Sequence, residues 1–161
     1  MRRNTKIGDV FEVKIDEHRK KYFQYIINDL TQLNSDVIRT FKQVFYNDSH
    51  PDLLEVVKTE VEFYAHCVTI VGVKLGYWEK IGNIIDVGNT NHILFRSSGD
   101  AGNRKITVSK DWWVWKINEP QKRVGKLVGE NQKAEMGMVF DPISIINRIR
   151  TGEYGGRYPG F

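Results

Sequence analysis

The sequence predicts an α+β fold, a strongly curved antiparallel sheet with two helices, built as a single domain over residues 1–161. Three observations carry this prediction. Apolar residues recur at period two in several short runs, turn residues separate those runs closely, and only two stretches bear helix-start signals. A chain of 161 residues suits one domain and buries about 68–70% of its unfolded surface. With 40% hydrophobic and 12% aromatic residues, it has the apolar content that disordered chains lack.

The elements follow in order. Phe11, Val13 and Ile15 alternate within Gly8 to Ile15, which marks a half-buried strand. Asp16-Glu17-His18-Arg19 is a polar turn, and Lys21 to Ile27 returns as the second arm of a hairpin. Asn28 to Asp36 reads as a loop and Val37 to Tyr46 as a third strand. Ser49 is placed to cap a short helix carrying Leu53, Leu54, Val56 and Val57, with Pro51 in its first turn and Asp52 behind. Glu60 to Val73 is apolar on both faces, as a central strand would be. Further strands are expected at Ile93–Arg96, Ile106–Val108 and Trp112–Ile117, with Ser97 to Asn103 a Gly-containing loop. The second helix has both ends written locally. Asp141 caps it, Pro142 takes its first position, Ile143, Ile146 and Ile149 form its stripe, and Gly152 stops it. Strands in quick succession around two helices suggest an SH3-like, partly closed barrel.

Composition narrows the function classes. The single cysteine, Cys67, excludes an intramolecular disulfide and a Cys-rich zinc site. No apolar run approaches the roughly 20 residues of a membrane span, and Arg2 and Arg3 are followed by no apolar stretch of the kind a secretory signal needs. A cytoplasmic, non-membrane protein is therefore expected. Residues 1–80 balance at 12 basic and 12 acidic side chains, whereas 81–161 hold 12 basic and 8 acidic, the whole net charge of +4. Within that half, 96–133 carries nine basic residues against Asp100, Asp111, Glu119 and Glu130.

No phosphate-binding, dinucleotide, zinc-protease or nucleophile-elbow motif is present, and Gly72 to Gly76 reads as a turn. His66 and Cys67 are adjacent, but neighbours on a strand point to opposite faces and cannot form a nucleophile–base pair. Four scattered histidines lack metal-ligand spacing. Asp9, Asp86 and Asp111 are the carboxylates in polar contexts near apolar segments, with nothing to bring two together. Neither a cofactor nor a metal is expected, and the chain reads as a non-enzyme. A small enzyme using Cys67 or a hidden carboxylate pair is the remaining catalytic reading.

Lys110-Asp111-Trp112-Trp113-Val114-Trp115-Lys116 is the most unusual segment. On a strand, Trp113 and Trp115 share one face, Trp112 and Val114 the other. One pair fills a core; the other lies beneath a covering segment or serves as a recognition anchor. The expectation taken forward is Trp113 and Trp115 as core and Trp112 as a contact. Trp78, after Tyr77, closes the core or anchors a partner. The expected partner-binding residues are thus Tyr77, Trp78, Trp112, Arg104 and Lys105. A basic, Trp-rich face also suits a nucleic-acid-binding module, which is the alternative function.

Lys6-Ile7-Gly8-Asp9-Val10-Phe11-Glu12-Val13, the strand Tyr22–Ile27 and Trp78-Glu79-Lys80-Ile81-Gly82 together resemble the immunity protein 26 family of bacterial polymorphic toxin systems. The resemblance covers the first half to two-thirds of the chain and transfers no catalytic motif. It implies a non-enzymatic binding protein that neutralises a cognate toxin by occlusion. An occluder of a nuclease cleft would present an acidic face. Here the excess is basic, which leaves open a toxin of another kind or docking through the neutral first half.

Overall fold

A computed structural model describes residues 4–161, so Arg2 and Arg3 of the expected leaderless start lie outside the described residues. The elements in chain order are β1 (Asp9–Lys14), β2 (Arg19–Asp29), β3 (Ser35–Phe41), β4 (Phe45–Tyr46), α1 (Leu53–Val56), β5 (Val61–Cys67), α2 (Thr69–Leu75), β6 (Glu79–Asn83), β7 (Leu94–Ser98), β8 (Trp112–Lys116), β9 (Lys122–Gly125), β10 (Glu135–Met136), β11 (Val139–Phe140) and α3 (Pro142–Thr151). A 3-10 turn, Gly129–Lys133, precedes β10. The first sheet has seven strands in the order β11-β5-β3-β2-β1-β6, with β4 also on β2. The second has four, β10-β7-β8-β9. The fold is α+β, and among the described residues neither sheet closes on itself.

The hairpin β1–β2 forms as its pattern demands, with Phe11 opposite Phe23 and Val13 opposite Lys21. The C-terminal helix is equally literal. Asp141 accepts from the Ser144 N–H at 2.7 Å, Pro142 begins α3, and Gly152 ends it at φ 86°.

Elsewhere tertiary context overrides local pattern. Among the described residues there are three α-helices, not two, because the second half of the expected strand Glu60–Val73 coils into α2. Its β-branched Thr69-Ile70-Val71 favours strand locally. However, the Asp36 carboxylate on β3 accepts from both the Thr69 N–H (2.9 Å) and its hydroxyl (2.6 Å), capping the helix from outside. The expected turn Gly72 to Gly76 is thus helix and helix end, with Gly76 left-handed at φ 77°. Asp52, not Ser49, caps α1, since its Oδ1 accepts from the Leu54 N–H at 3.0 Å while Ser49 Oγ donates to the Tyr46 carbonyl. The third strand breaks after Phe41, and β4 turns back onto Arg19 and Lys20 of β2. Ile106–Val108 is not a strand; Val108 makes one bridge, to Gly160.

The core has four parts. On one face of the first sheet, Phe11, Phe23, Ile38 and Phe63 meet Ile145, Ile146 and Ile149 of α3. On the other face, Val10, Tyr22 and Phe41 meet Val56 and Val57 around α1. Ile26 and Val37 meet Phe95 and Trp115 between the two sheets. Trp112, Val114 and Leu127 close the outer side of the second sheet. Each such side chain contributes about 1.5–3 kcal/mol by leaving water. The Trp-rich strand is apolar on both faces, and it needs two covers. The first sheet is one, the 126–133 segment the other.

Candidate functional site

A groove of about 1000 Å³ lies where α2 and α3 meet the β1–β6 edge of the first sheet. Its apolar lining comes from Ile70 and Val73 of α2, Trp78, and Ile143 and Ile146 of α3. The helix stripe of α3 explains the last two: Ile146 turns into the core, while Ile143, one turn earlier, is 55% exposed. Size and lining match those of a site that receives an apolar group.

Trp78 fixes the groove's geometry. Its indole N–H donates to the Thr69 carbonyl at 2.9 Å. Its ring lies so close on Gly72 that a Cβ there would stand 2.0 Å away, so only glycine lets α2 approach. At 4% exposure the ring is a wall. This corrects the expectation of Trp78 as a recognition anchor: holding α2 to the sheet buries it. Tyr77, 36% exposed, is the aromatic side chain of the groove open to a partner.

Charge on the rim is partly engaged. Lys80 Nζ lies 3.0 Å from Asp9 Oδ1, and Lys20 Nζ lies 3.1 Å from Glu12 Oε2. Arg150 donates through Nε and Nη2 to the Lys14 carbonyl at 3.3 and 3.0 Å, which places two cations together at one end. Among the described residues, the Lys14 ammonium, the Glu79 carboxylate and the Tyr77 hydroxyl make no hydrogen bond or ion pair within the protein, so all three remain available to a ligand.

The other expected contacts lie elsewhere. Trp112 is 4% exposed, enclosed by Leu127, Val114 and the Arg96 side chain, so it also is core. Its N–H donates to the Ser109 carbonyl at 2.9 Å. Trp113 is half-buried beside Arg123 instead of wholly core, whereas Trp115 is buried. Arg104 and Lys105 are exposed on the loop before β8. Arg104 borders a smaller hollow of about 430 Å³, with Asp100 and Tyr158. The structure therefore brings Tyr77 and Trp78 together and separates them from Trp112, Arg104 and Lys105.

The catalytic candidates are dispersed. His66 belongs to the inter-sheet core and Cys67 to the opposite face, where burial pushes its thiol up. Asp9 is held by Lys80 and Asn83, Asp111 by Arg123, and Asp86 lies beside Gly88 through its own Oδ1. Among the described residues, no group of three His, Cys, Asp or Glu side chains is placed to hold a metal, and no helix is long and apolar enough to cross a membrane.

One buried polar cluster had no local signal. Asp29 ends β2 and is fully buried. Its Oδ2 accepts from His66 Nε2 at 2.8 Å and Trp115 Nε1 at 3.0 Å, and its Oδ1 from the Asn118 N–H at 3.3 Å. Burial opposes ionisation of Asp29, but these donors outweigh it and hold the carboxyl below its ordinary value. Burial pushes His66 below the ordinary imidazole value and outweighs the pull of Asp29, so the ring is neutral, with the proton on Nε2. Its Nδ1 has no partner. The cluster spans both sheets and touches no cavity wall named above; it joins the halves of the fold.

Comparison of the chain with protein-family models, with curated proteins and with solved structures returned no match.

Proposed function

We propose that the chain is a non-enzymatic, cytoplasmic binding protein of the toxin-immunity type, which neutralises a cognate bacterial toxin by occlusion through the α2–α3 groove. The observation that carries this reading is the groove itself. An apolar floor, an exposed Tyr77 and the unpaired Lys14 beside Arg150 suit an inserted apolar side chain flanked by a carboxylate. The resemblance of residues 6–13, 22–27 and 78–82 to the immunity protein 26 family supports the partner class. The SH3-like, partly closed barrel belongs to the same reading. Its support is the eleven-residue β2, which pairs with β1, β3 and β4 at once, and the register shifts that bend β1, β2 and β3.

Co-expression with the toxin-like product of the neighbouring gene tests the proposal. Wild type should restore growth and co-purify with the toxin. Ile143→Asp, at an exposed groove position, should fold normally and lose both properties. Absence of a complex with the wild-type chain overturns the reading.

A further inference from the structure

Two arginines far apart in the chain meet at one hollow of the surface. Arg104, on the loop before β8, and Arg157, on the segment after α3, both line a cavity of about 430 Å³. Both backbones are fixed. The loop turns twice, with the Asn103 N–H on the Asp100 carbonyl at 3.0 Å and the Ile106 N–H on the Asn103 carbonyl at 3.1 Å, so Arg104 projects from inside a closed turn. Ser98 and Ser109 tie the ends of the loop through a 2.6 Å hydrogen bond, and the Ser109 hydroxyl donates to Asp100 Oδ2 at 2.8 Å. The C-terminal segment is bound to the same loop. The Gly160 N–H donates to the Thr107 carbonyl at 2.8 Å, and the Ser109 N–H to the Gly160 carbonyl at 2.9 Å. On either side of that bridge, Tyr158 packs edge-on against Phe140 and Phe161 against Trp112.

Like charges gathered at one hollow repel unless an opposite charge sits between them. The protein supplies little. Asp100 is the acidic residue of the lining, and its Oδ2 is engaged by Ser109. Among the described residues, Arg104 and Arg157 are exposed and make no ion pair or hydrogen bond. Lys105, exposed beside Arg104, has no ion pair either, so the balance around the hollow stays positive. The rest of the lining has a different character. Ile106, Tyr158 and Pro159 are half-buried and give the hollow an apolar wall. Its volume falls within the roughly 300–1,000 Å³ of small-molecule sites, with room for an organic body beside an ion.

We infer that this hollow binds a small organic phosphate, with the phosphate held between Arg104 and Arg157 and its organic group against Ile106 and Pro159. A guanidinium presents paired donors that match phosphate oxygens, and two guanidinia match the near-double charge of a phosphate monoester better than the single charge of a carboxylate. The turns and the Gly160 bridge set both arginine backbones in place beforehand, which lowers the cost of ordering them on binding. The inference is independent of the groove, with which the hollow shares no lining residue.

Isothermal titration calorimetry with phenyl phosphate at about 150 mM salt tests it, with inorganic phosphate and benzoate as companion probes. Wild type should bind phenyl phosphate more tightly than either companion. Arg104→Gln and Arg157→Gln should each weaken binding about tenfold or more, the loss expected for hydrogen bonds to a charged group. Both side chains are exposed, so these variants should melt as wild type does. Asp100→Asn removes the opposing charge but keeps an acceptor for Ser109, and it should tighten binding a few-fold. Ile106→Ala should weaken phenyl phosphate and leave inorganic phosphate unchanged. The charge-matched control for the arginine pair, Lys74→Gln with Lys126→Gln at exposed positions away from the hollow, should bind as wild type does. No binding of phenyl phosphate at millimolar concentration overturns the inference. So does an equal loss in the control, which would make the attraction one of net charge alone. Equal binding of benzoate would overturn the phosphate assignment, and equal binding of inorganic phosphate the organic one. Unchanged binding in both arginine variants would place the ligand elsewhere on the protein.

Discussion

Trp78 and Trp115 do similar mechanical work in two regions of the molecule, with different chemistry. Each ring rests on a glycine: a Cβ on Gly72 would stand 2.0 Å from Trp78, and one on Gly137 would stand 2.1 Å from Trp115. Each indole N–H is bonded, at 2.9 Å and 3.0 Å. Trp78 docks α2 onto the first sheet and donates to a neutral carbonyl in an otherwise apolar cluster. Trp115 docks the second sheet onto the first and donates to a buried carboxylate shared with His66. The helix interface thus rests on shape, and the sheet interface on shape plus one charge. The second arrangement is the more brittle, because a single carboxylate satisfies three donors drawn from both sheets.

The largest effect should come from removing that residue. Asp29→Ala strands the donors of His66, Trp115 and Asn118 and should cost about 3–5 kcal/mol in urea unfolding. A cost below 1 kcal/mol would mean that the charge holds nothing together. The glycine seats come next. Gly72→Ala gains up to about 1 kcal/mol of helix propensity, but the overlap with a rigid ring wins, and a net loss of about 1–3 kcal/mol is expected. Gly137→Ala should cost a similar amount, since the obstruction is the same, and unequal losses would show that one interface yields more easily. The indole N–H is compared most directly with phenylalanine. Trp115→Phe removes a bond to a charged acceptor, about 1.5–3 kcal/mol, and Trp78→Phe removes a neutral one, about 1 kcal/mol, beyond the lost ring area common to both.

Acid provides the gentlest test. His66 is neutral when folded and its pKa is lowered, so the unfolded chain takes up its proton first, near the ordinary value of 6.5. Stability conferred by the neutral ring is full above that pH and falls as pH drops below it. Asp29 is also lowered, so its contribution is full above 3.8 and is lost as pH falls through its folded value. Both losses have the same sign, so stability should hold from pH 8 to about 6.5, fall below that as the unfolded chain takes up the His66 proton, and fall again below 3.8 as the Asp29 contribution is lost, with the first fall reduced in His66→Gln. Trp78 makes no such link, and its substitution should leave the slope unchanged.

What was readable in advance follows the range of the interactions. The β1–β2 hairpin and α3 were legible because their alternation, cap and stop lie within a few residues. The helix α2 was not, since its cap, Asp36, and its glycine seat act from other segments on a β-branched run. Tyr77-Trp78 stands out in the sequence as an aromatic pair, but the groove it lines has its far wall on α3, a distant stretch of chain. Trp112 drew attention for the right residue type and the wrong environment, because the 126–133 segment covers it. Asp29 and His66 had no signal at all. One closes a strand and the other sits inside one, and only the stacking of two sheets brings them within 2.8 Å.

The parallel pairing of β11 with β5, which sets Val139 beside His66 and Phe140 beside Cys67, has a consequence for synthesis on the ribosome. Strands β1, β2, β3 and β5 emerge early, yet the β5 edge and the face carrying Phe23 and Phe63 stay bare until Phe140 and α3 follow. The nascent chain must carry an open edge and an uncovered apolar face from the end of β5 until β11 and α3 emerge. Conditions that stall the ribosome between β5 and α3 would therefore leave a chain whose bare edge and apolar face can associate with its neighbours.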